Sequence, residues 1–351
     1  MTTSTHRHVF VSLDAMRGIA ALMVVLYHSP TLFGPIASRG YLAVDLFFVL
    51  SGFVIAHAYD ARLATNLTPS AFIKLRVIRF WPLYAAGLAL GLCREILLIA
   101  SGNHYALTPG LLALCLAAAL LFIPAPLASR DYQLFSLNSP SWSLLHELLV
   151  NVLYAVFFRF LTIPVLCGLG VASYIALALT APASGISDTG FNLPGTLPAI
   201  ARTLFSFTAG ALLFRLKLKA PKISVALVLC VLMAALALPF GGRVYDLLFV
   251  ALMSPALVWM GTACTISPKL HKLAAWLGLI SFPIYAVHRP ALAIAEAGAE
   301  RLSLPPAAVG IGVLAALLLG CTYLAVPFDI WSRRKLTELS AVRPIVQKTA
   351  A

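Results

Sequence analysis

Long apolar runs separated by short polar clusters recur from one end of the 351-residue chain to the other. Candidate spans fall at roughly 13–33, 41–58, 80–101, 108–124, 141–160, 161–181, 197–214, 223–239, 244–262, 273–294 and 305–330. A helix needs about 20 apolar residues to cross the hydrocarbon core, and most of these runs have them. The pattern predicts an all-α polytopic membrane protein. Residues 1–351 form one membrane-embedded domain, because no internal repeat, low-complexity tract or long linker sets off a soluble unit. Composition agrees: 61% of residues are hydrophobic and 11% charged, and the mean hydropathy of +0.95 lies outside the soluble range.

Charge then orients the spans. The formal net charge of +13 could suggest nucleic acid, but Lys and Arg sit in short clusters between apolar runs, as positive-inside bias requires; no nucleic-acid partner is expected. The clusters are Arg62/Lys74/Arg76/Arg79, Arg215/Lys217/Lys219/Lys222, Lys269/Lys272 and Arg333/Arg334/Lys335, and all should be cytoplasmic, as should Arg7, Arg17 and both termini. Between Arg79 and Trp142 the chain must cross an odd number of times, yet two apolar runs lie there. The run 108–124, short and bounded by "TPG" and "IPAP", is therefore expected to be re-entrant or interfacial, leaving about ten transmembrane helices. Of the 25 Lys and Arg, 18 then fall inside, four (Arg39, Arg130, Arg243, Arg301) outside and three (Arg94, Arg202, Arg289) within helices. "MTTSTHRHVFVSLD" offers no cleavage site, so the first helix should be retained.

Depth makes polar residues informative, since a polar side chain inside a membrane is costly. Arg17 and His28 are eleven residues apart; about 1,100° of turn and ~16 Å of rise put them on one face, Arg17 inner and His28 outer. The ordinary reading of Arg17 is a snorkelling anchor, and of His28 an interfacial histidine. Asp45 lies in the outer part of the next helix. Ser143, Glu147, Asn151 and Tyr154 make a polar stripe, with Glu147 near the outer end of its helix. Ser281, Tyr285 and His288 make another, and Arg202 with Ser206 a lesser one. Each alone suits an interhelical hydrogen bond. Together they suggest an outward-opening cavity lined by His28, Asp45, Glu147 and His288, with the ingredients of general acid–base catalysis. At the inner face Arg76 and Arg79, one turn apart, can grip phosphates, although positive-inside retention explains them equally simply.

Five blocks in order carry a resemblance over nearly the whole chain: "LDAMRGIAALMVVLYH" (Arg17, His28), "GYLAVDLFFVLSGFVI" (Asp45, Ser51, Gly52, with Ala43 where a glycine is usual), "RVIRFWPLY" (Arg76, Arg79), "SWSLLHE" (Glu147) and "SFPIYAVH" (His288). The chain resembles the integral-membrane acyltransferase 3 family of glycan O-acyltransferases. The resemblance implies a bacterial inner-membrane enzyme with no permanently bound cofactor. Its donor would be acyl-CoA, usually acetyl-CoA, held near Arg17, Arg76 and Arg79. Its acceptor would be a hydroxyl of a glycan or lipid-linked oligosaccharide on the outer side. His28 would be general base or transient acyl carrier, Glu147 would assist proton transfer or orient His28, and Asp45 and His288 would complete the network, supported by Ser143, Asn151, Tyr154, Arg202, Ser281 and Tyr285. The sequence shows no extracytoplasmic hydrolase-like domain, so the bundle alone should perform the transfer.

Other readings make their own demands. A glycan transporter or flippase would need inverted repeats with broken helices in matching halves, and neither is evident. A signalling or scaffold descendant would be expected to have lost His28 or Glu147. Cys93, Cys115, Cys167, Cys230, Cys264 and Cys321 stand singly in or beside apolar stretches, which predicts small buried hydrophobes rather than disulfides or a metal site. The string "SGNH" at 101–104 is a coincidence.

Overall fold

A computed structural model of the chain describes residues 10–340; Arg7 and both termini lie outside them. The described helices are α1 (Val11–Tyr27), α2 (Pro30–Phe33), α3 (Ala43–Thr65), α4 (Pro69–Ala100), α5 (Pro109–Leu120), α6 (Ser141–Val156), α7 (Ile163–Thr180), α8 (Thr196–Leu216), α9 (Val225–Ala237), α10 (Arg243–Leu248), α11 (Ser254–Gly261), α12 (Pro268–Arg301), α13 (Pro306–Gly320) and α14 (Val326–Ser340). Single π turns, Phe249–Met253 and Cys321–Ala325, join α10 to α11 and α13 to α14 as continuous helical runs. Such turns widen a helix without unsatisfying its backbone. Among the described residues, seven helices are long and apolar enough to cross a membrane: Gly40–Thr65, α4, α7, α8, Arg243–Gly261, α12 and Pro306–Ser340.

The two runs between Arg79 and Trp142 differ in kind. The longer, α4, meets the length for crossing, whereas the 12 residues of α5 rise only ~18 Å against a core of ~30 Å. The far end of α5 meets the middle of α4, where the Tyr84 hydroxyl donates to the Ala119 carbonyl at 2.6 Å and Phe122 stacks on the Tyr84 ring. From there the chain runs through irregular segments, first at the surface, with Leu127 and Tyr132 exposed, and then inside the protein, with Leu134, Phe135 and Leu137 buried. It enters α6 at Ser141, which is itself buried.

Glycine sets how closely the central helices cross, as packing in apolar surroundings favours. A Cβ on Gly52 of α3 would collide with the Phe207 carbonyl of α8, and one on Gly210 of α8 with the Val49 carbonyl of α3. A Cβ on Gly18 of α1 would strike Leu277 of α12, and one on Gly278 of α12 would strike Asp14 of α1. This second crossing matters for the site, because His28 and His288 lie ten residues beyond Gly18 and Gly278 on helices that run in parallel. In α12, Pro290 has no N–H for the carbonyl of Ala286; Asn138 Nδ2 donates to that carbonyl instead, at 2.8 Å.

Gly52→Val is expected to destabilise by about 1–3 kcal/mol, since backbone on α8 must move to admit it. Gly312→Val meets nothing within 4 Å and should be nearly silent. Thermal unfolding of the two variants in detergent checks this.

Candidate active site

His28 caps the end of α1, where the chain turns at Ser29 into α2. Ser29 and Thr31 hydroxyls donate to Glu296 Oε1 of α12 at 2.6 and 2.8 Å, fixing that turn. His28 thereby faces His288 of α12, with Nδ1 to Nε2 at 3.3 Å and ring centroids 5.0 Å apart. The hydrogen-bond network assigns the tautomers. His288 donates from Nδ1 to the Tyr285 carbonyl at 2.8 Å, which makes its Nε2 an acceptor. His28 Nδ1 then carries the proton, shared between the Val24 carbonyl at 2.9 Å and His288. What is left is His28 Nε2, a lone pair with no proton. His28 lines a chamber of about 230 Å³ together with Tyr27, Trp142, Asp188, Tyr285 and Arg289.

The two carboxylates that sequence pattern grouped with these histidines go elsewhere. Asp45 is fully buried and receives both Nε (2.9 Å) and a terminal nitrogen of Arg202, itself 1% exposed. The remaining Arg202 nitrogen donates to Thr189 Oγ1 (3.1 Å) and to the Ile186 carbonyl (3.3 Å). Neither Asp45 nor His288 is on the chamber wall. A buried carboxylate without a cation would be prohibitively costly, and the pairing meets that cost at the expense of any free role for Asp45.

Glu147 lies away from the histidines and towards the basic end. Its Oε1 accepts from Ser51 Oγ at 2.8 Å and from Arg76 at 3.0 Å. The expected four-residue cavity lining is thus corrected to His28 alone. The cause is packing: Glu147 stands in the middle of the 16-residue α6, where Ser51 of α3 and Arg76 of α4 reach it. Ser143, one turn earlier, hydrogen-bonds the Tyr285 hydroxyl at 2.6 Å, so Ser143 and Tyr285 stand between the histidine pair and Glu147. The rest of the α6 stripe continues to the basic end, where Tyr154 donates to Asp60 at 2.5 Å and accepts from Arg215 at 2.8 Å. Asn151 is fully buried without a side-chain partner among the described residues. Ser281 bonds back to the Gly278 carbonyl at 2.8 Å and joins no other helix.

At the basic end Arg79 has Arg333, Arg76 and Arg17 as cationic neighbours and Asp329 as its anion. Asp329 pairs with Arg79 at 3.4 Å and with Arg333 at 2.6 Å, and Arg17 pairs with Asp14 at 3.5 Å. Packing of α14 on α4 brings in Arg333 and Asp329, which sequence reading left out of the site. Their signal was only the C-terminal basic cluster. Ser29, Glu296 and Asp188 were missed for the same reason: each is an ordinary polar residue until the fold sets its neighbours.

Similarity to known proteins agrees with this architecture. The acyltransferase-domain family model matches residues 10–326. The chain is 30% identical over 309 residues to the exopolysaccharide production protein ExoZ of Rhizobium meliloti (strain 1021), covering 84% of this chain and 90% of that protein. It is 45% identical over 154 residues to protein 2 in the picA locus of Rhizobium radiobacter, covering 42% of this chain and 81% of that protein. No solved structure matches it. A family match spanning nearly every described helix, from α1 to the start of α14, establishes that the chain belongs to the acyltransferase 3 family, enzymes that transfer acyl groups.

Proposed function

We propose that this protein transfers an acyl group, acetyl by default, from cytoplasmic acyl-CoA to a hydroxyl of an extracytoplasmic or lipid-linked polysaccharide. In this reading the bundle crosses the bacterial inner membrane about ten times, with α5 re-entrant and both termini in the cytoplasm. The observation that carries the proposal is the free Nε2 of His28, a residue that meets His288 at 3.3 Å and lines a small chamber. A polysaccharide acceptor is supported by the likeness to a protein named for exopolysaccharide production.

The chemistry follows from the groups at hand. The acceptor hydroxyl gives its proton to His28 Nε2 as its oxygen attacks the acyl carbon; the C–S bond breaks, and the leaving thiolate takes that proton back from the His28 imidazolium, which restores the thiol and the neutral base. The Val24 carbonyl and His288 together hold His28 in the useful tautomer, and His288 shares the charge of the imidazolium, the part a carboxylate plays in other base–orienter pairs. Direct attack by His28 Nε2 on the thioester, giving an acyl-imidazole, uses the same lone pair. At the donor end, Arg17, Arg76, Arg79 and Arg333 offer guanidinium groups to the donor's phosphates, and Glu147 holds Arg76 in place.

Purified protein given acetyl-CoA and surface glycan from a strain lacking the gene should release thiol and add acetyl mass to the glycan. Absence of both above the hydrolysis background would end the proposal, and glycan movement in proteoliposomes without acyl transfer would favour a transporter. Arg79→Gln is expected to raise the acyl-CoA KM about 10- to 100-fold, as for one lost charge-assisted bond, with acceptor KM unchanged. Initial rates with each substrate varied separately test it.

A further inference from the structure

The loop at 181–195, between α7 and α8, is held with unusual care for an irregular segment. Two buried charged groups converge on it. Asp246 of α10, fully buried, accepts the Ile186 backbone N–H at 2.8 Å and the Tyr41 hydroxyl at 2.8 Å. Arg202 of α8, locked to Asp45, donates to the Ile186 carbonyl and to Thr189 Oγ1. Gly190, at φ +105°, lies flat on the Trp142 ring, where any Cβ would collide. The Phe191 carbonyl accepts the Leu134 N–H at 2.8 Å. Residues 186, 189, 190 and 191 are thus pinned.

Ser187, Asp188, Thr189 and Phe191 of this loop line the chamber that holds His28; Thr189 Oγ1 and the Phe191 carbonyl serve as pins, which leaves the side chains of Ser187 and Asp188 as the loop's polar groups not spent on holding it. Asp188 is exposed and lies within electrostatic reach of Tyr27, the residue before His28. The neighbouring cations Arg39, Arg202 and Arg289 are already engaged by Asp246, Asp45 and Glu296. Asp188 therefore offers its acceptor oxygens outward, and the bundle has committed two buried charges to keeping it there.

From this geometry we infer that Ser187 and Asp188 form the acceptor-binding subsite, which takes a single neutral sugar ring and presents one of its hydroxyls to His28. The inference rests on the acyl-transfer reading above and adds the substrate class. A carboxylate accepts two hydroxyl protons from adjacent positions of a sugar, a geometry free hydroxyls supply and water cannot fix. Tyr27 and Tyr285 give the ring apolar walls. At about 230 Å³ the chamber is below the ~300–1,000 Å³ of sites for drug-sized ligands, a size that suits one ring, with any further sugars of the acceptor lying outside its mouth. The chamber's arginines, Arg202 and Arg289, are paired with Asp45 and Glu296, so the carboxylate of a uronic acid would meet Asp188 with no unpaired cation beside it.

The test is direct binding to the full-length protein in detergent, by titration calorimetry with methyl β-glucoside, methyl β-galactoside, methyl β-glucuronide and maltotriose. Wild-type protein should bind a neutral monosaccharide and reject the glucuronide. Asp188→Asn and Ser187→Ala should weaken binding about tenfold or more without lowering Tm, while Glu300→Gln, exposed on the end of α12, should not. In the transfer assay Asp188→Asn should raise acceptor KM about tenfold, with kcat within about twofold and acyl-CoA KM unchanged. Wild-type protein that binds no saccharide, or Asp188→Asn and Ser187→Ala variants that bind and turn over normally, would overturn the subsite. Saccharide binding that depends on Asp188 but is followed by no acyl transfer would sink the enzymatic reading and leave the subsite standing.

Discussion

Replacing His28 by Ala is expected to reduce kcat by on the order of 10³-fold, the usual scale for loss of a positioned base, while leaving the fold intact. The fold should tolerate it because His28 caps α1 and is only half-buried, and because the turn behind it is tied down by Ser29 and Thr31 on Glu296. An unchanged Tm in detergent together with retained thiol release from acetyl-CoA would defeat the assignment. His288 should behave differently. His288→Phe removes one of the two acceptors of His28 Nδ1–H and leaves the Val24 carbonyl; losing one hydrogen bond to a group that becomes charged costs roughly 1.5–3 kcal/mol, about 10- to 100-fold in rate. His288→Gln can present an amide oxygen to the same N–H and should recover part of that loss. A purely structural His288 would show no such rescue. Incubating wild-type protein with donor alone decides between the two uses of Nε2: acetyl mass on a peptide containing His28 marks an acyl-imidazole, and an unmodified peptide marks a general base.

The sequence made the helical character and the residues worth watching legible, but not their partnerships. Apolar run lengths located the helices, and the i, i+4, i+7 spacing picked out Tyr285 and His288, because both signals are local. The meeting of His28 with His288 depends on the register of α1 against α12, which Gly18 and Gly278 set by letting two backbones touch; no periodicity encodes it. Asp45 and Arg202 were both visible as polar residues at depth, yet they are 157 positions apart, and nothing in either helix names the other as partner. The partners of Glu147 were equally hidden: Ser51 and Arg76 lie 96 and 71 positions away, on helices that only the fold brings against α6. The basic end was legible as charge but not as a cluster around Asp329, which required α14 to fold back on α4.

The Asp45–Arg202 pair carries the other large expected effect, and it separates stability from function. Arg202→Met leaves Asp45 fully buried with no cation, and Asp45→Leu leaves a buried guanidinium uncompensated; each should cost about 3–5 kcal/mol. Loss of folded protein on extraction, or a large drop in Tm, is the expected readout. Removing both charges should be far milder, because a well-packed apolar pair can replace a buried ion pair at little cost. The double variant Asp45→Leu/Arg202→Met is therefore expected to regain most of the lost stability. It cannot regain the donors to Ile186 and Thr189, so residues 186–189 lose one of their two anchors while Asp246 still holds the Ile186 N–H. A stable double variant should then show a raised acceptor KM with donor KM unchanged. If it binds and acylates the acceptor like wild type, Arg202 does no more than neutralise Asp45, and the loop needs no second anchor. If it stays as unstable as the single variants, the pair holds the bundle together through the loop itself, and the order of cause runs from loop to helix rather than from helix to loop.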